Sequence, residues 1–129
     1  MRKNILDTFK NESGIYAIIC KHERKIYIGQ SRDMKTRIKT HITALEKCEH
    51  VNIKMQNDYN KYKETFIFIP LEYTNEIELT IIERYYISLL CIFGYELYNA
   101  KYVSSPSISF YDIFCKRNEG FGKIYHILK

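Results

Sequence analysis

Residues 13–31 read SGIYAIICKHERKIYIGQS, and their pattern decides most of the architecture. Two runs rich in Ile and Tyr, 14–20 and 25–29, flank the polar Lys21-His22-Glu23-Arg24, as two strands flank a hairpin turn. If Cys20 faces Lys25, then Ile19 faces Ile26 and Ala17 faces Ile28. Ile15, Ala17, Ile19, Ile26 and Ile28 then share one face, ready to bury. Tyr16, Ile18, Tyr27 and Gly29 share the other, with Tyr16 diagonal to Tyr27 and within its reach. A slip of one residue would scatter the isoleucines over both faces, which the hydrophobic effect opposes.

Working outward, SRDMKTRIKTHITALEKC predicts a helix over roughly 31–47, capped by Ser31 or Asp33. Met34, Ile38, Ile42 and Leu45 recur at helical spacing as a narrow apolar stripe. Arg37 and His41, four apart, stack beside that stripe, where the residues alone fit either a solvated flank or a site. A second short, polar helix is expected over 52–63, then a buried strand over 65–70 that ends at Pro70. Asn75 with Glu78 offers a capping box for a third helix reaching about Cys91.

That third helix is apolar nearly all round. Ile77, Ile81, Ile82 and Tyr85 define one face, and Leu79, Tyr86 and Leu90 the opposite one, with Glu83 among them. A carboxylate in such company costs a large desolvation free energy unless a cation meets it, either a distant Lys or Arg or a metal ion in a cleft. After Gly94, ELYNAKY suits a short edge strand presenting Asn99, and the tail from Val103 suits a final helix near 109–117 plus a terminal strand or arm. The expected fold is α/β (α+β): a small, mainly antiparallel three-stranded sheet flanked by helices, in the order β-β-α-α-β-α.

The 129 residues suit one compact domain, and a hydrophobic share of 46% argues against disorder. We assign 1–102 to that domain and 103–129 to a C-terminal extension too short to fold independently. The N-terminus lacks the apolar run of a signal peptide, and no stretch of ~18 apolar residues could span a bilayer. The expectation is a soluble, intracellular, cytoplasmic protein, neither secreted nor membrane-bound. Cys20, Cys48, Cys91 and Cys115 lie far apart without a C-x-x-C pair, which suits free thiols in a reducing compartment better than a zinc site. Twenty basic against 15 acidic residues give a net charge of +5, a mild bias that permits a polyanionic partner.

The ordered set of GIY, YIG, an Arg four residues before a His, a lone Glu on an apolar helix and a late Asn resembles the GIY-YIG nuclease family. It looks most like the catalytic domain of phage intron-encoded homing endonucleases, from Gly14 to about Ala100. The resemblance implies a DNA endonuclease that hydrolyses phosphodiester bonds with one Mg²⁺ (or Mn²⁺) ion. It implies Tyr16, Tyr27, Arg37, His41, His50, Glu83 and Asn99 as the catalytic set, with Gly14 and Gly29 as motif glycines that leave room beside the site. His50 matches an additional histidine of the homing subgroup. On this reading Glu83 holds the metal and Arg37 pairs with the non-bridging oxygens. Tyr16, Tyr27 and His41 orient and deprotonate the attacking water, with Tyr16 preferred to His41 as base.

Lys35, Lys39, Lys54 and Lys61, near the proposed site, are candidates for contacts to the DNA backbone. Homing relatives append a linker and a DNA-targeting region. This chain therefore reads as a stand-alone nuclease, or as one relying on a separate targeting partner or a homodimer. The competing readings are a non-catalytic nucleic-acid-binding module on the same fold, and a structural domain in which Tyr16, Tyr27 and Glu83 form a buried polar network.

Overall fold

The computed structural model describes residues 2–99 and 110–129, with side chains described outside 2–4 and 110–116. The expected boundary between 102 and 103 lies outside the described residues. A short helix α1 (Arg2–Asp7), not anticipated, precedes the hairpin of β1 (Gly14–Cys20) and β2 (Lys25–Ser31). Helices α2 (Met34–Glu46) and α3 (Ile53–Tyr62) follow, then β3 (Phe66–Tyr73), α4 (Leu79–Ile92), the two-residue β4 (Glu96–Leu97) and α5 (Phe110–Leu128).

The hairpin takes the register demanded by the isoleucine pattern: Cys20 faces Lys25, Ile19 faces Ile26, Ala17 faces Ile28 and Tyr16 faces Gly29. Ile15, Ala17, Ile19, Ile26 and Ile28 enter one apolar core with Leu79, Ile82, Tyr86 and Leu90 of α4. The opposite face is buried too. Tyr16, Ile18 and Cys20 pack against Met34, Ile38 and Leu45 of α2 and Met55 and Tyr59 of α3. The central strand β1 is therefore buried along its whole length, as a strand covered by helices on both faces must be.

Four strands replace the expected three, in the order β3-β1-β2-β4. The fourth is the anticipated edge segment after Gly94, and it pairs parallel with β2 only at Lys25 and Ile26. The strand expected to stop at Pro70 runs on to Tyr73. Pro70 is tolerated because β3 is an edge strand, and the register to β1 shifts between Ile15 and Tyr16, so that Leu71 is the extra residue of a bulge. Lys123 of α5 donates to the Pro70 carbonyl at 3.0 Å. Arg117 Nε lies 3.3 Å from Glu72 Oε1.

The tail also differs from expectation, since the segment after 117 continues as helix rather than as a strand or arm. Non-helical φ and ψ at Arg117 bend α5 there. Ile124 and Leu128 lie at helical spacing and enter the same core as α4, which gives the segment a face to bury. Helix α4 itself starts later than its capping box. Asn75 accepts from the Glu78 amide at 3.1 Å to cap a 3₁₀ turn, Glu76–Glu78, leaving Ile77 94% exposed and outside the helix. Ile81 is exposed as well, so the face expected from Ile77 and Ile81 points to solvent and the buried positions are Leu79, Ile82, Tyr85, Tyr86, Ile87, Leu89 and Leu90.

Candidate active site

Helix α2 begins at Asp33, not Ser31. The Asp33 side chain accepts from the Thr36 amide, and Ser31 instead accepts from the Asp33 amide. From that start, Met34, Ile38, His41 and Leu45 face inward, so His41 emerges on the buried flank and Arg37 one turn earlier at the exposed rim. His41 meets the tyrosines of the hairpin there. Tyr16 Oη and His41 Nε2 are 2.6 Å apart, and the Tyr16 and Tyr27 rings lie 6.4 Å apart, as the diagonal register requires.

His50 reaches the same cluster from the loop between α2 and α3. Its Nε2 lies 2.8 Å from His41 Nδ1, with the two ring planes only 18° apart. The loop turns through Cys48, whose φ of 60° is left-handed. Gln56 then fixes His50 in place. Gln56 is buried, accepts from the His50 amide at 3.0 Å and donates to the Leu45 carbonyl at 3.0 Å, so it ties the loop to the end of α2. Asn52 caps α3 and donates from its main-chain N–H to His50 Nδ1 at 3.0 Å.

Gly29 is required by contact. A Cβ there would stand 2.3 Å from the Tyr16 ring and 2.4 Å from its hydroxyl, so the glycine makes room for the phenol that crosses it. Gly14 makes room for the chain. Its Cβ would meet the Glu72 carbonyl of β3 at 2.3 Å, away from the tyrosines.

Asn99 takes over where β4 stops. Its Oδ1 accepts from the Ile28 amide at 2.9 Å and its Nδ2 donates to the Ile28 carbonyl at 2.7 Å, so one side chain bridges both main-chain groups between Tyr27 and Gly29. Glu83 approaches this end of β2 from α4, with Gln30 Nε2 3.4 Å from its Oε1.

The electrostatics make one unit of these groups. Burial raises the Tyr16 pKa well above the ordinary phenol value, and Tyr27 and Glu83 add to the rise. Arg37, beside the phenol, opposes it through hydrogen bonding and charge. Tyr27 shifts up for the same reasons, burial first, with Arg37 opposing and Glu83 adding. Burial, then the charges of Arg37 and His50, push His41 down to about 3. His50 is lowered by burial and by Arg37. Glu83 is raised by burial, against the Gln30 hydrogen bond and the Arg84 charge. At neutral pH the site thus holds phenols, neutral imidazoles, a fixed guanidinium and a carboxylate whose ionised form lacks solvation.

An open cavity of about 450 Å³ lies on the imidazole side of this cluster, lined by Tyr27, Arg37, His41 and His50 together with Val51 and Asn52 but not by Tyr16 or Glu83. Of the lysines, Lys39, Lys54 and Lys61 are exposed and Lys35 is half-exposed on α2. Among the described residues no group of three or more His, Cys, Asp and Glu side chains is arranged to hold a metal ion.

Residues 12–95 match the model of the GIY-YIG catalytic domain family. The chain belongs to that family. It is 38% identical over 73 residues to intron-associated endonuclease 1 of Enterobacteria phage T4, an alignment covering 57% of this chain and 30% of the phage protein. This GIY-YIG chain therefore spans about three tenths of the length of that relative. Among solved structures, the catalytic domain of homing endonuclease I-TevI superposes with a TM-score of 0.58 at 32% identity, covering 66% of this chain and 97% of that one. The catalytic domain of intron endonuclease I-TevI with one glutamate replaced by alanine superposes with a TM-score of 0.59 at 30% identity, covering 74% of this chain and 99% of that one.

Within the GIY-YIG domain the structure brings together Tyr16, Tyr27, Arg37, His41, His50 and Glu83, and places Asn99 behind them as a clamp on β2. Sequence reasoning missed Gln30, Asn52 and Gln56. Asn52 carried a readable signal, an Asn directly before a helical segment. Gln56 and Gln30 carried none, because only the fold reveals which backbone or carboxylate they meet.

Proposed function

We propose that the chain is a DNA endonuclease that hydrolyses phosphodiester bonds, with a divalent cation held at Glu83. The observation that carries this reading is the convergence of Arg37, His41, His50 and Glu83 around the Tyr16 and Tyr27 phenols in a GIY-YIG domain. The names of the phage relative and of the I-TevI domains support endonuclease action, and the latter support homing-type chemistry. The donor set suits a Mg²⁺ or Mn²⁺ ion bound by a single carboxylate and keeping most of its waters, not a cage built of protein ligands. A cation there would restore the ionised state of Glu83 that burial disfavours. When bound, it supplies Lewis-acid charge neutralisation at the scissile phosphate.

The chain's own side chains do the rest. Arg37 stands at the rim of the cavity, where its planar fork can pair with two non-bridging phosphate oxygens. Tyr16 takes the proton of the attacking water, with Tyr27 beside it to orient that water. Asn99 positions β2, and through it Tyr27 and Gly29, from behind. Exposed Lys39, Lys54 and Lys61, with Lys35, contribute charge for the DNA backbone without reading sequence. We further propose that 1–102 forms the nuclease unit, that 103–129 is an extension of it and not a separate domain, and that the protein works inside the cell. A separate targeting partner or a homodimer would supply sequence selection.

The test is nicking of supercoiled plasmid by purified protein in Mg²⁺, in Mn²⁺ and in chelator. Wild type is expected to nick only with a divalent ion, and Glu83→Ala to lose that activity. Absence of nicking with any divalent ion would sink the proposal. Equal nicking by wild type and Glu83→Ala would do the same.

A further inference from the structure

The contacts of His50 determine which way a whole row of protons points. The Asn52 main-chain N–H can only donate, and it lies 3.0 Å from His50 Nδ1, so that nitrogen carries the lone pair. A neutral imidazole has one N–H, so the His50 proton sits on Nε2 and is directed at His41 Nδ1, 2.8 Å away. His41 Nδ1 must then accept, and the His41 proton sits on Nε2, 2.6 Å from Tyr16 Oη. Protonating either ring further would set two donors against each other at one of these contacts. The downward shifts of both imidazoles agree with that.

We infer that His50 is a positioning residue: anchored by the Asn52 amide, it holds His41 in the Nε2–H tautomer so that His41 donates to Tyr16. Two consequences follow for the reaction, and they rest on the nuclease reading above. First, His41 has no lone pair facing the cleft, so it cannot take a proton from water. Second, Tyr16 Oη receives a donor from His41, which cannot accept there, so its own hydrogen points away from that ring. That donor stabilises the phenolate once it forms, against the burial that otherwise holds the group as a phenol. The base is then Tyr16: its proton leaves to solvent, and the phenolate takes a proton from the attacking water. The new P–O bond forms as the bond from phosphorus to the leaving oxygen breaks, and the leaving oxygen is protonated from solvent. The main-chain amide of a helix cap thereby decides which side chain is the base.

Tautomers can be read without any substrate. In the full chain labelled with ¹⁵N-histidine, two-bond ¹⁵N–¹H spectra at about pH 7.5 should show both His41 and His50 as Nε2–H, assigned by His41→Gln and His50→Gln. His41 or His50 protonated on Nδ1 would overturn the inference, whether or not the protein cuts DNA. If instead the tautomers are as assigned and no DNA is cut, the nuclease reading fails while the positioning by His50 stands.

Kinetics add a second arm. Glutamine can present an N–H at similar reach, so His50→Gln should retain clearly more kcat than a variant without a donor. His50→Met, which offers no donor, should lower kcat about 10–100-fold with KM nearly unchanged, the range expected for losing a donor to a charged oxygen. The His41 signal in His50→Met should lose its single Nε2–H form. Equal losses in His50→Gln and His50→Met, with His41 still Nε2–H in both, would show that His50 only shapes the loop.

Discussion

Acid should destabilise this domain through His41 before it reaches the carboxylates. The imidazole is 4% exposed and its pKa is held near 3, against 6.5 for the unfolded chain. The unfolded state therefore binds a proton that the folded state refuses, and stability falls as the pH drops below the unfolded value. Between about pH 8 and pH 5 the loss is RT ln[(1 + 10^1.5)/(1 + 10^−2)], or about 2 kcal/mol, from this one residue. Glu83 acts in the opposite direction, because its raised pKa lets the folded state take up a proton first. The comparison that isolates His41 is urea unfolding of wild type and His41→Gln at both pH values. The acid-induced loss in wild type should exceed that in the variant by about 2 kcal/mol, whatever the absolute stabilities. Equal losses would mean that His41 is protonated in the folded state, and the donor order drawn for the imidazole row would be wrong with it.

The other expectations concern the site directly. Gly29→Ala places a methyl group inside the Tyr16 ring, which is buried and cannot yield; a loss of about 1–3 kcal/mol by urea unfolding and a larger proportional loss of nicking should follow. Arg37→Ala should lower turnover at least about 100-fold with the thermal midpoint and most DNA affinity intact; binding that collapses in step with rate would make Arg37 a docking residue. Asn99→Leu leaves the Ile28 amide and carbonyl without their partner and should cost about 1–3 kcal/mol in urea unfolding. Because burial holds Tyr16 in its phenol form, turnover should climb about tenfold per pH unit from about pH 7 to pH 9 with no inflection near the usual histidine pKa. A rate already flat by about pH 7 would point to a different base.

What could be read in the sequence follows the physics of periodicity. The hairpin register was legible because a two-residue alternation of isoleucines admits one solution, and that solution places Tyr16 beside Tyr27. Arg37 and His41 were legible as neighbours because a helix fixes residues four apart. Their contact with Tyr16 depends on how α2 crosses the sheet, which no local pattern encodes. His50 sits in a loop through a left-handed Cys48, so its approach to His41 follows from the turn and from Gln56, not from any spacing. Pro70 misled because an edge strand and a strand end look alike in one dimension. Ile77 and Ile81 misled because α4 begins after a 3₁₀ turn and because large apolar residues also occur at the surface. The last helix was half-read for a related reason: the backbone bends at Arg117, and Gly120 and Gly122 just beyond it read as a break in the helix.

The seating of α5 matters to whether the β3 edge can take on a strand from another chain. An edge strand with unpaired amides invites another strand to add to it. Here β3 carries a proline that has no amide to offer, and the Pro70 carbonyl is already taken by Lys123. Glu72 is engaged by Tyr86 and faced by Arg117. A fragment trimmed to the 12–95 segment common to the family would strip away Lys123, Arg117 and the apolar pair Ile124 and Leu128. It would leave a bare strand border beside an uncovered oily patch. The last helix is then as much a guard against self-association as a piece of the core, and the shortest sequence that matches the family is a poor choice of the shortest sequence to express.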